Sequence, residues 1–202
     1  MTRPIIGTVA TVIGVAVLGG LLLIYSGLYN VAATEPHVAL IYWVVQTVKL
    51  RSIKVHAEEI AVPPGLSDDS EIVKGTGHFA AHCVVCHGAP GVPRGDFARR
   101  LYPSPPDLAG VSEVYGPGEL FWIVKNGIKA TGMPAWRDHD DDELWAMVAF
   151  LLKLPAISVQ GYASRLTASV NSGDHHHHVD ADGSGIVLST PIGIPERNHH
   201  HD

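Results

Sequence analysis

The chain has 202 residues, 46% of them apolar and 17% charged, with a net charge of −6. That length holds one ordinary domain with extensions, and the acidic balance excludes a general nucleic-acid binder. The only cysteines, Cys83 and Cys86, are too few and too close together for a secreted disulfide framework.

In chain order, the first element is an uncharged run from Ile5 to Tyr25. As a helix its 21 residues reach about 31 Å, enough to cross the hydrocarbon core of a bilayer. A cleavable signal has a shorter apolar core, about 7–15 residues, so residues 1–30 are expected to be an uncleaved anchor. Val31-Ala32-Ala33 nevertheless suits a signal peptidase. Arg3 favours an inside N-terminus, against which Lys49, Arg51 and Lys54 weigh on the far side.

Residues 31–66 form the next unit. Pro36 suits a first helical position, and no Gly or Pro interrupts until Pro63-Pro64-Gly65, so a helix is predicted over Glu35–Ile60, followed by a hinge. Its first half is apolar on most sides, and its second carries Lys49, Arg51, Lys54 and His56. Two readings stand: an amphipathic helix lying on a membrane or a membrane-bound partner, and a rigid spacer.

Residues 67–155 read as an all-α domain, since no run alternates as a strand does. Helices are predicted from Ser70 to about Cys83, from Pro117 to Lys125 between Gly116 and Gly127, and from Asp141 to Lys153. Asp140 and Glu143 have capping-box spacing for the last of these. Beyond Pro155 the chain is polar and rich in Gly, Ser and Asp, with His175–His178 and His199–His201, so residues 156–202 are expected to be a disordered tail. Those histidine runs raise a competing possibility for the whole chain, a metal-handling protein.

Cys83-Val84-Val85-Cys86-His87 carries the chemistry. C-x-x-C-H is the attachment signal for a c-type haem. Two thiols three positions apart at a helix end reach both vinyl groups of one haem, and the following histidine then lies under the iron. A structural zinc site needs four ligands, and no second pair is near. A thioredoxin-like pair expects a preceding strand, whereas helix is predicted before Cys83. One covalent haem c, held through Cys83 and Cys86, is therefore the expected cofactor, with His87 as a metal ligand.

The second axial ligand has one well-placed candidate. Met1 begins the span and Met147 lies inside the last helix, but Met133 sits in the glycine-flexed loop Gly127–Pro134. A methionine opposite a histidine raises the haem potential and suits an electron carrier. A loop methionine filling the core is the plain alternative. His78 and His82, on the helix entering the motif, read as surface histidines; His139 is the weaker alternative ligand.

On these motifs the segment from about Ile72 to Leu154 resembles the class I cytochrome c family. Gly75-x-x-x-Phe79-x-x-x-Cys83 is similar to the family's N-terminal helix, whose glycine permits close crossing by the C-terminal helix, here Trp145–Leu151. Pro106-Asp107-Leu108-Ala109-Gly110 is similar to the loop whose proline carbonyl accepts the proximal histidine's ring N–H. The resemblance thus implies that Pro106 orients His87, that Leu108 packs on the haem and that Met133-Pro134 is the distal loop. Trp136 is read equally as a haem-lining residue and as a core tryptophan. Pro105 departs from the family's usual glycine, and the stretch between His87 and Pro106 is long, with Arg94, Arg99 and Arg100 in it.

The expected role is electron transfer in the periplasm, from a domain tethered to the inner membrane. The chain would act as a carrier or as a cytochrome subunit of a respiratory or dehydrogenase complex, not as an enzyme by itself. Its partners would be redox proteins, the membrane and, through residues 35–60, subunits of a membrane complex. A peroxidase-like or gas-binding enzyme is the competing class and needs an open iron position, which Met133 would close.

Overall fold

Leu144–Leu151 are eight consecutive buried residues, and a helix that is apolar all round must be enclosed on every side. The computed structural model, which describes residues 2–172, encloses it. Helix α7 (Asp141–Lys153) crosses α3 (Asp69–His82), and α6 (Pro117–Asn126) packs on another side. The crossing is close because Gly75 lies at it: a Cβ there would stand 2.5 Å from the carbonyl carbon of Ala146. Phe79 and Phe150 meet beside it with ring centroids 4.7 Å apart. The expected role of Gly75 against Trp145–Leu151 is therefore seen directly.

The remaining helices are α1 (Thr2–Ser26), α2 (Ala39–Ala57), α4 (Val84–His87), α5 (Val111–Val114) and α8 (Val159–Asn171). Among the described residues there is no strand, only an isolated bridge between Ala89 and Val92, so the all-α expectation holds. Ile5–Ser26 of α1 is long and apolar enough to cross a membrane, and none of it is buried against the rest of the chain.

Helix α2 is shorter than the predicted Glu35–Ile60. Pro36 does not open it. The His37 N–H instead donates to the Tyr102 hydroxyl at 2.8 Å, and the Tyr29 hydroxyl meets His37 Nδ1 at 2.6 Å, so this stretch is held in non-helical form by a distant loop. The C-terminal half of α2 docks on α6 through buried Ile53 and Ala57, and the His56 ring lies 5.5 Å from that of Trp122. Its N-terminal half leaves Leu40, Tyr42, Trp43, Val44, Val45 and Val48 exposed.

The tail corrects the sequence reading. Residues 156–202 were expected to be disordered from their start, yet α8 is a helix packed on α3. The Ser158 hydroxyl caps it by accepting the Gly161 N–H at 3.1 Å. Ile157 and Tyr162 are buried, Leu166 packs against the core, and Arg165 reaches Asp69 at 3.0 Å. Tertiary burial holds a helix that its Gly, Ser and Thr content disfavours. The packed domain thus extends past Pro155 to Asn171. The histidine runs His175–His178 and His199–His201 lie outside the described residues.

Candidate haem site

The attachment motif begins where α3 stops. The Cys83 N–H still bonds to the Phe79 carbonyl at 2.9 Å, and Cys83 O then accepts from Cys86 N–H at 3.1 Å and His87 N–H at 2.9 Å. This tight turn, α4, brings both thiols and the imidazole to one helix end. Both thiols are half-buried, and no disulfide joins them. Burial, reinforced by the neighbouring Cys86, pushes the Cys83 thiol up to about 12.

Gly88 ends α4 with φ 72°, and a Cβ there would lie 2.9 Å from Val92 O. The chain after Gly88 folds back over the motif, with the Gly95 N–H on Val85 O at 3.0 Å. That return places Arg94 against the next loop, where its guanidinium donates to Pro105 O at 2.7 Å. One residue further on, Pro106 O lies 3.0 Å from His87 Nδ1. A carbonyl can only accept, so Nδ1 carries the proton and Nε2 keeps its lone pair. Burial holds the His87 pKa below the usual imidazole value; the Pro106 bond opposes this and Arg94 assists it. His87 is therefore neutral at neutral pH, as a metal ligand must be. Sequence reasoning noted Arg94 only as part of a departure from the family pattern. The structure gives it a place, holding the peptide beside the one that orients His87.

Leu108 is half-buried and, with Leu154 and Ile157, lines a cavity of about 400 Å³ beside His87. Neither Cys83 nor Cys86 lines that cavity, so it is the paired thiols of one turn and the oriented imidazole that suit a covalently bound haem. Met133 does not line that cavity. It is half-buried in the loop after Gly127, where its N–H donates to Thr131 Oγ1 at 3.1 Å and its carbonyl accepts from Ile128 N–H at 3.3 Å. Gly127, at φ 65°, is needed there, since a Cβ would meet the Pro134 carbonyl at 2.6 Å. Met147, in contrast, is fully buried in α7.

Residues 70–151 match the family model described as cytochrome c oxidase, cbb3-type, subunit III. This segment is a class I cytochrome c domain. The family implies a covalently bound haem c and supports a role in haem-based electron transfer. No curated protein and no solved structure matches the chain.

On the face where α3 ends, the cytochrome c domain departs from expectation. His78, read as a surface histidine, is buried, and His82 is half-buried. His139 joins them: its ring centroid is 4.9 Å from that of His82 and 6.2 Å from that of His78. Trp136 packs against His82 at 4.8 Å and also borders the core. The three histidines were legible singly, but nothing local signals that the α3–α7 crossing brings them together.

Proposed function

We propose that this chain is a periplasmic, membrane-tethered electron-transfer protein working through one haem c. The observation that carries the reading is the 3.0 Å bond from His87 Nδ1–H to Pro106 O directly after a paired-thiol turn. It leaves the Nε2 lone pair available, on a neutral and oriented ring, one turn from two thiols. A haem supplies one-electron redox chemistry when bound; the chain supplies attachment, ligation and exclusion of water. In this reading Cys83 and Cys86 would hold the haem through thioethers, His87 and Met133 would ligate its iron, and Leu108 would pack beside His87. Ligation by Met133 would close the iron to exogenous ligands and so would suit a carrier rather than an enzyme.

Covalent attachment takes place outside the cytoplasm, so the domain lies in the periplasm, with α1 as its inner-membrane anchor. The exposed apolar half of α2 begins after the twelve residues 27–38 that follow α1. It faces the membrane surface or a membrane-bound subunit, and the family match favours a redox complex as the setting. Acid-acetone extraction of the purified protein tests the central point. Haem should stay with the polypeptide at one per chain, and the Cys83→Ala/Cys86→Ala variant should carry none covalently. Haem extracted from the unmodified chain refutes the reading.

A further inference from the structure

The end of α3 presents a pair of polar side chains one helical turn apart, and a second pair stands where the chain enters α7. On α3 these are His78 and His82; opposite them are His139, just before α7, and Glu143 in its first turn. Residues four apart on a helix share a face, so His78 and His82 occupy one side of the gap, while His139, which precedes α7, is brought to Glu143 by the contact of its Nδ1 with the carboxylate.

The geometry points to a site for one borderline divalent transition-metal ion, such as Zn²⁺, held by His78, His82 and His139 and steadied by Glu143. One nitrogen from each histidine lies within 4.8 Å of the other two. Nitrogens bound tetrahedrally at about 2.0–2.1 Å from zinc stand ~3.3 Å apart, so ring rotations closing each gap by at most about 1.5 Å complete the set.

Glu143 supports the set from behind. Its Oε2 lies 3.0 Å from His139 Nδ1. A carboxylate accepts, so Nδ1 donates and the Nε2 lone pair of His139 is left for the metal, the arrangement that orients metal-bound histidines. The other oxygen is 4.0 Å from His78 Nε2. Burial acts to raise the Glu143 pKa, but the His139 hydrogen bond, the nearby His78 and the Asp140 N–H outweigh it, so the carboxyl is held ionised. Burial, then His139 and His78, hold His82 below the usual imidazole range against the opposing pull of Glu143, so that ring offers a lone pair at neutral pH. Trp136 closes the side of the cluster, 4.8 Å from His82 and 5.5 Å from His139. Imidazole donors suit Zn, Cu and Ni over Mg or Ca. The ion would link the residue before Cys83, the loop after Met133 and the start of α7.

The test uses the full-length haem-loaded protein in mild detergent, with His175–His178 and His199–His201 replaced by alanine so that they do not compete. Calorimetric titration with zinc chloride should give one equivalent bound and a higher melting temperature. His82→Ala and His139→Ala should each weaken binding at least tenfold, and Glu143→Gln by about 10–100-fold. His56→Ala should leave it unchanged. Because these substitutions touch the helix crossing, the intact site is also footprinted with diethyl pyrocarbonate: zinc should protect His82 and His139 and leave His56 reactive. Absence of one-to-one binding, binding indifferent to His82→Ala and His139→Ala, or absence of protection overturns the site.

Discussion

Replacing Gly75 by alanine probes the contact on which the cytochrome c domain turns. The added Cβ would stand 2.5 Å from the carbonyl carbon of Ala146 and 3.1 Å from Phe150 Cβ, and closer still to the Ala146 oxygen. Carbon atoms in ordinary contact stand about 3.5–4.0 Å apart, so α3 and α7 must separate by about 1 Å. The obstacle is backbone inside the buried stretch Leu144–Leu151 of α7, which cannot turn aside as a side chain can. Overpacking of this kind costs up to about 3 kcal/mol, and more where backbone must move. Alanine recovers about 1 kcal/mol of helix propensity, leaving a net loss of about 2 kcal/mol. For a domain of this size that lowers the melting temperature by about 10 °C. The assay is thermal unfolding of the haem-loaded protein followed by circular dichroism, with Gly110→Ala as control, since a Cβ at Gly110 meets nothing within 4 Å. A fall of less than about 2 °C, or an equal fall in the control, refutes the reasoning.

Met133→Ala should abolish the near-infrared sulfur-to-iron charge-transfer band of the oxidised protein, admit carbon monoxide to the reduced form and lower the potential. Met147→Leu should leave the band in place, because Met147 is packed inside α7; a band surviving in Met133→Ala removes that residue from the iron. Tyr162→Ala should cost about 3 kcal/mol of domain stability, the scale for emptying a large buried side chain, because Tyr162 packs beside Phe150 with ring centroids 6.1 Å apart. Unchanged melting would show that α8 does not belong to the folded unit.

What the sequence reveals here follows the range of the interactions. The attachment motif is local: five residues set thiols and imidazole on one turn, so it reads without a structure. The Gly75 crossing is long-range, yet a glycine in register with an aromatic and a cysteine makes it legible by resemblance. Helix α8 is not legible, because its core stripe is narrow. Tyr162, Leu166 and Ser169 share a face at helical spacing, but Gly161 and the surrounding Ser and Thr hide the period; Ser158 three residues before Gly161 was the available signal. The start of α2 is set by Tyr102, far along the chain, and no local pattern near Pro36 reports that. The histidine cluster fails to show for the same reason, since His82 and His139 meet only once α3 and α7 have crossed.

The acidic run Asp138–Glu143 shows how such a stretch divides its work. As sequence it reads as a solvated helix start or as a patch for a basic redox partner. In the fold its members separate. Asp141 pairs with Lys125 at 2.5 Å, tying the start of α7 to the end of α6. Glu143 is turned inward, accepting from His139 Nδ1 and, at 3.3 Å, from the Asp140 N–H. Asp138, Asp140 and Asp142 remain exposed to solvent. Asp141, Asp142 and Glu143 also occupy the first turn of α7, where each carboxylate is favoured by about 0.3–1 kcal/mol through the helix dipole. The run therefore has a sufficient cause in the fold itself: it starts α7, ties that helix to α6 and sets the ring of His139. Attraction of a basic partner is not needed to account for it. Any such attraction would rest on the exposed carboxylates alone and would weaken with added salt, as interactions between exposed charges do.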